Sequence, residues 1–131
     1  MEKVKKVKFS SFRDDRGVLT AIELKDFTQW ETKRVYYVTD VTAPRGGHAV
    51  KGEQKIYVCQ KGKVKARFHD GDKWIEFELE GPDEGLVMSG PCFREFYDFS
   101  EGAVLMAVSS VNYVPEDYIY DLDQFIKFAK Q

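Results

Sequence analysis

Apolar and polar residues alternate with a period of two along much of this 131-residue chain. Val64, Ala66 and Phe68 interleave with Lys63, Lys65 and Arg67, and Ile75, Phe77 and Leu79 interleave with Glu76, Glu78 and Glu80. A strand sends successive side chains to opposite faces, so each run predicts an antiparallel strand with one buried and one wet face. Asp70-Gly71 between them predicts a hairpin, because a tight primed turn needs the positive φ that Gly adopts freely. Val18–Leu24, Lys33–Val41, Lys55–Gln60, Gly85–Ser89, Phe93–Phe99 and Ala103–Ser109 are further β-rich runs. Ala103–Val108 is almost wholly apolar, which predicts a central strand buried on both faces. Lys61-Gly62, Gly81-Pro82 and Gly90-Pro91 punctuate the series. Only the tail changes period. Pro115-Glu116-Asp117 reads as a first helical turn, with Pro and carboxylates suited to the dipole. Tyr118, Ile119, Leu122, Phe125, Ile126 and Ala129 then recur at helical spacing. Many short strands with regular turns and one terminal helix predict an all-β sandwich or small barrel with a short C-terminal helix, in one domain over residues 1–131. Short strands leave edges that a dimer partner can cover.

Composition narrows the function. Twenty basic residues stand against 22 acidic ones, so no charge excess draws the chain to nucleic acid. Lys3, Lys5, Lys6 and Lys8 form a basic run that reads as a solvated face. No apolar run approaches the ~20 residues of a membrane helix, and the N-terminus has no apolar core of a signal peptide. Cys59 and Cys92 are too few and too isolated for a disulfide framework and read as free buried thiols. Cytoplasmic residence is the resulting default.

The candidate chemistry centres on Arg45-Gly46-Gly47-His48-Ala49-Val50-Lys51, between two strand-like runs. A His on a Gly-rich turn between strands can be aimed into a barrel, and its ordinary pKa of about 6.5 suits proton transfer at neutral pH. The other histidine, His69, adjoins the Asp70-Gly71 turn and is expected to be exposed without a role. A catalytic metal needs three or four ligands, mostly His, Cys or carboxylate, and two separated histidines do not supply them, so no metal is expected. Tyr36 and Tyr37 sit mid-strand, and alternation turns only one of them inward. Arg16, Arg45, Lys51 and Arg94 are candidates for phosphate, for which Arg has bidentate geometry. A neutral His or a Tyr phenolate beside such cations suits removal of a proton next to a carbonyl, with the cations stabilising the enediolate.

The chain resembles a known family, the cupin 3,4-ketoisomerases of thymidine-diphosphate-linked 4-keto-6-deoxy sugars (the WxcM-like, C-terminal family). The resemblance runs nearly end to end. It is carried by Arg16-Gly17-x-Leu19-Thr20 with Ile22-Glu23, Lys33-Arg34-Val35-Tyr36-Tyr37-Val38, Arg45-Gly46-Gly47-His48-Ala49 with Lys51, Gly85-Leu86, Arg94-Glu95, Asp98-Phe99-Ser100, Ala103-Val104-Leu105 and Tyr113…Asp117-Tyr118-Ile119…Asp121. It implies a cupin-type, RmlC-like jelly roll and a homodimer with exchanged N-terminal strands. It implies a dTDP-linked 4-keto-6-deoxy sugar as substrate and movement of the carbonyl from C4 to C3 with neither metal nor redox cofactor, in deoxyaminosugar, O-antigen or S-layer glycan synthesis. By this resemblance His48 is the base, Tyr36 a second proton-handling or orienting group, and Arg45 a neighbour of the sugar or diphosphate, with Arg16 and Gly17 beside the sugar; Lys51, Lys55 and Arg94 are added as expected substrate contacts on their charge. Arg16-Gly17 resembles the pair of members that form galacto-configured products. Val50 stands where the family usually has a second His, Lys55 where it has Gln, and Phe93 where it has Trp. Tyr120 and Leu122 stand where Arg and Tyr are common. These departures keep two alternatives open, a metal-free sugar-nucleotide epimerase and a non-catalytic carbohydrate-binding cupin.

Overall fold

The computed structural model describes residues 2–131. Its strands are β1 (Val4–Lys8), β2 (Ser10–Asp14), β3 (Gly17–Ala21), β4 (Arg34–Val38), β5 (Arg45–Val50), β6 (Lys55–Lys61), β7 (Lys63–His69), β8 (Trp74–Glu80), β9 (Glu84–Met88), β10 (Phe93–Tyr97), β11 (Val104–Ser109) and β12 (Tyr118–Ile119), followed by helix α1 (Leu122–Ala129). One antiparallel sheet has the order β1-β9-β6-β11-β4 and a second the order β12-β5-β10-β7-β8. They form a sandwich that is not closed into a barrel. Among the described residues the β2–β3 hairpin pairs only with itself.

Period-two alternation places the main core between the sheets. Val4, Tyr57, Cys59, Leu86, Met88, Leu105 and Ala107 of the first sheet meet Val64, Ala66, Phe68, Leu79 and Phe96 of the second. The outer faces are covered as well. Leu24, Phe27 and Trp30, from the segment after β3, pack over Ile56, Val58 and Val108. Helix α1 covers the other sheet through Phe125, which lies against Ala49, Phe93 and Ile119. Strand β11 pairs with both β6 and β4, as its apolar run predicts. Cys59 and Cys92 are free and buried, as expected. No helix among the described residues is long and apolar enough to cross a membrane.

Several expectations are corrected. The basic run presents Lys5, Lys6 and Lys8 to solvent as expected, but it is also a strand, β1, whose Val4 reaches the core. The predicted Val18–Leu24 strand ends at Ala21, and Leu24–Asp26 is a 3-10 turn that leads into the covering segment. The β7–β8 hairpin exists, but its loop is Asp70–Lys73, because His69 pairs with Trp74. The Asp70 carboxylate accepts the backbone N–H groups of Asp72 and Lys73 at 2.8 and 3.0 Å and braces that wider loop. His69 is buried, not exposed. Its Nδ1 accepts the Gly71 N–H at 3.1 Å and its ring meets Trp74 edge-on at 5.1 Å.

The C-terminal helix also starts later than its periodicity predicts. Pro115–Asp117 is an isolated 3-10 turn, and Tyr118 and Ile119 pair with Val50 and Ala49 at the β5 edge. The edge offers ladder hydrogen bonds that a helix would forgo. The helix then begins after Asp121, whose carboxylate accepts the Gln124 N–H at 3.0 Å. Asp121→Ala is expected to lower stability by about 1 kcal/mol, measured by urea unfolding, because it removes this N-cap.

Candidate active site

The Gly-rich segment works as a β-bulge. Arg94 of β10 pairs with His48, yet the next residue, Glu95, pairs with Gly46. Gly47 is therefore the extra residue, and its φ of +77° is one that Gly adopts without strain. Three residues apart on a regular strand, Arg45 and His48 would face opposite sides. The inserted residue restores parity, and both line one cavity between the sheets. Gly46 is demanded twice over. Its φ is +98°, and a Cβ there would lie 2.6 Å from the Arg94 carbonyl oxygen.

Alternation on the neighbouring strands supplies the other walls. Tyr36 of β4 lines the cavity, whereas Tyr37 points outward and is 67% exposed. Tyr57 on β6 and Arg94 and Phe96 on β10 also line it, with Val38, Phe99 and Leu105 as apolar surface. One side of the His48 ring packs on Tyr118, 5.0 Å between centroids.

Behind this lining lies a buried ion cluster. Lys55 Nζ is 2.9 Å from Glu53 Oε2, and Arg94 Nη1 is 2.8 Å from Glu53 Oε1. The second contact is an ion pair, and among the described residues Glu53 Oε1 has no hydrogen-bond partner. All three side chains are at most 2% exposed. Lys55 Nζ also donates to the Tyr36 hydroxyl oxygen at 2.7 Å. Arg94 Nη2 and the Tyr57 hydroxyl are buried without a hydrogen-bond partner among the described residues. Unpaired buried polar groups are costly, and here they belong to residues that line the cavity, which suits a ligand rich in oxygen.

The cluster governs the ionisation of its neighbours. Burial first, and then the Arg94 charge, lower His48 to about 4, against a backbone hydrogen bond to Gly46 that pulls the other way. His48 is thus a neutral base across the physiological range. Burial and then Arg94 also lower Lys55 to about 7, with Glu53 opposing. Burial raises the Tyr36 phenol, with Arg94 opposing, so it remains a proton donor at neutral pH. The site therefore combines a neutral base, a neutral acid and a fixed guanidinium.

The remaining expected site residues are not in this cavity. Lys55 is behind it, covered by Tyr36. Lys51 is exposed and directed at the Phe128 ring of α1, 5.8 Å from its centre. Arg16 and Gly17 follow Asp14 on the exposed β2–β3 hairpin, where Arg16 Nη2 lies 2.6 Å from the Asp14 carboxylate. Sequence reasoning missed Glu53. Its signal was the Glu53-x-Lys55 spacing, which suits two charges that turn to one side.

The profile of the family described as "FdtA: WxcM-like, C-terminal" matches residues 2–130. A TDP-4-oxo-6-deoxy-alpha-D-glucose-3,4-oxoisomerase from Aneurinibacillus thermoaerophilus is 36% identical over 126 residues, covering 95% of this chain and 91% of the relative. The 3,4-ketoisomerase QdtA from Thermoanaerobacterium thermosaccharolyticum, solved as a His-to-Asn variant with TDP-4-keto-6-deoxyglucose, superposes with a TM-score of 0.88 at 38% identity, covering 99% of this chain and 96% of that one. A 3,4-ketoisomerase from Helicobacter canadensis gives 0.90 at 31% identity with both chains fully covered. The chain belongs to the FdtA, WxcM-like C-terminal family, with sugar 3,4-ketoisomerases among its full-length relatives.

Proposed function

We propose that this protein is a nucleotide-sugar 3,4-ketoisomerase that converts a dTDP-linked 4-keto-6-deoxy-hexose to its 3-keto isomer. The observation that carries the reading is the neutral His48 facing Tyr36 and Arg94 in one cavity. His48 takes the proton from C3, which the C4 carbonyl acidifies. Arg94 and the Tyr36 and Tyr57 hydroxyls bind the sugar oxygens as negative charge develops there. The proton then returns to C4 and the carbonyl is left at C3. Arg45 at the cavity mouth suits the diphosphate. The donor set favours a reaction without metal, since the groups around His48 are cationic or phenolic. Among the described residues no three His, Cys, Asp or Glu side chains cluster as ligands.

The reading includes a cytoplasmic homodimer with exchanged N-terminal strands, serving the synthesis of deoxyaminosugar-containing glycans. Two exposed apolar surfaces support the dimer. Phe12 and Leu19 on the unattached hairpin are 64% and 63% exposed, and Val35 and Tyr37 on the β4 edge strand are 56% and 67% exposed. In such a dimer Arg16 and Gly17 reach a site through the partner. Lys51 would act at the outer rim.

The test is incubation with TDP-4-keto-6-deoxyglucose in deuterium oxide. Deuterium is expected in the ring, with a 3-keto product. Capture of that product by an aminotransferase and its NMR coupling constants are expected to reveal an axial C4 hydroxyl, the galacto configuration. Recovered substrate without deuterium refutes the isomerase reading. An equatorial hydroxyl refutes only the role of Arg16 and Gly17 in choosing the face.

A further inference from the structure

We propose that Lys55 is the proton store of the isomerisation, holding the Tyr36 hydroxyl and exchanging a proton with it in each half of the reaction. This inference rests on the isomerase reading above. Its basis is geometric. Lys55 is 1% exposed and separated from the cavity by Tyr36, so it meets substrate only through that side chain. The Tyr36 oxygen accepts the Lys55 N–H at 2.7 Å, which leaves the phenolic hydrogen free to point at the ligand. Glu53 fixes the ammonium from the far side at 2.9 Å. The result is a short chain, Glu53 to Lys55 to Tyr36 to cavity.

Every charged or titratable neighbour bears on this lysine. Tyr36 and Arg34 face it from β4, Tyr57 from its own strand, with the ring centre 5.5 Å from Nζ, and Glu53 from the segment before β6. Arg94 faces it from β10, and His48 feels its charge from β5. Burial and Arg94 favour the amine, while Glu53 favours the ammonium. The balance falls at about 7, so both forms are populated at neutral pH. A glutamine in this place could hold Tyr36 but could not store a proton.

The protons balance without any co-reactant. In the first half the C3–H bond breaks and its proton goes to His48. The electron pair forms the C3=C4 bond, and the carbonyl π pair moves to O4. O4 takes the Tyr36 proton, and Tyr36 is refilled by the Lys55 ammonium, which becomes the amine. In the second half O3 gives its proton to Tyr36, and Tyr36 passes one back to Lys55. The O3 pair forms the new carbonyl, and the double-bond pair takes the His48 proton at C4. C3 is oxidised, C4 is reduced, and both side chains return to their starting states. O3 and O4 are vicinal, so one hydroxyl can serve both.

The experiment compares wild type, Lys55→Gln and Lys55→Arg. It follows net isomerisation and deuterium exchange at C3 of recovered TDP-4-keto-6-deoxyglucose, with folding checked by circular dichroism. Lys55→Gln is expected to isomerise ~100-fold more slowly, with the ratio of exchange to isomerisation rising ~10-fold because His48 still works. Lys55→Arg keeps the cation but cannot release its proton, since guanidinium titrates above about 12, and is expected to be as slow as Lys55→Gln. Wild-type kcat is expected to fall as pH rises through about 7, the Gln variant having lost that limb. Near wild-type kcat in either folded variant overturns the proposal, as does an equal loss of exchange and isomerisation. If neither variant folds, the wild-type profile decides, and a kcat that is flat from about pH 6 to 8.5 overturns it. Absence of both exchange and isomerisation in the wild type instead defeats the parent reading.

Discussion

His48→Asn is expected to leave a folded protein whose turnover of TDP-4-keto-6-deoxyglucose falls ~100- to 10,000-fold, the usual range for loss of a general acid or base. The expectation rests on position and ionisation together. The Gly47 bulge turns His48 into the cavity, and the ring is half-buried against Tyr118 and not locked in the core. Asparagine keeps a polar side chain of similar reach and cannot take up a proton near neutral pH. Circular dichroism and thermal unfolding are therefore expected to match the wild type. The pH profile gives a second readout. Burial and Arg94 hold His48 at about 4, and a base must be deprotonated to act. Wild-type activity is then expected to persist to about pH 5 and to fall as pH drops through about 4. The residual activity of the variant is expected to lack that acid limb. Retention of near wild-type kcat by folded His48→Asn would remove His48 from the mechanism.

The legible parts of this chain are those set by local period and by short-range turns. The alternation in Lys63–Phe68 and Ile75–Glu80 yields β7 and β8, because a half-buried strand has no other way to satisfy it. Gly46-Gly47-His48 was legible as a turn that aims a histidine. It was not legible as a bulge, since that depends on the register with Arg94, a partner distant in sequence. Tyr36 and Tyr37 could not be told apart, because parity is fixed by which face of β4 meets the core. The ion cluster was hidden for a related reason. Glu53, Lys55 and Arg94 look like ordinary surface charges one at a time, and only their convergence buries them. Lys55 reads from its charge as a substrate contact, and only tertiary packing reveals Tyr36 between it and the cavity. The tail misled through its own regularity. Tyr118 and Ile119 fit a helical stripe, but a free strand edge claimed them first. The lysines of the basic run are solvated as their charge dictates, and its strand stayed hidden because only Val4 and Val7 mark the apolar face.

Glu53→Ala is expected to lower stability by about 3–5 kcal/mol, the usual result of breaking a buried ion pair from one side, seen as a fall of about 10–20 °C in Tm. Among the described residues Glu53 is the only anion in contact with two cations, Lys55 at 2.9 Å and Arg94 at 2.8 Å, and neither can turn to water. Removing it leaves two like charges buried together. Arg94 cannot shed its proton, so Lys55 must yield. Its folded pKa of about 7 already lies below the unfolded value of about 10.4. Between those values the unfolded chain binds more protons, and stability rises with pH. Below about 7 the folded wild type also carries the charge, so its penalty is constant there. Loss of Glu53 pushes the folded Lys55 lower still and extends the rising window to more acid pH. The gap between variant and wild type is therefore expected to be widest near pH 5 and to narrow toward pH 7. Urea unfolding at a series of pH values measures it. A loss below about 1 kcal/mol, the range of a solvent-exposed pair, or a gap that widens toward pH 7, would falsify the view that Glu53 neutralises two trapped cations.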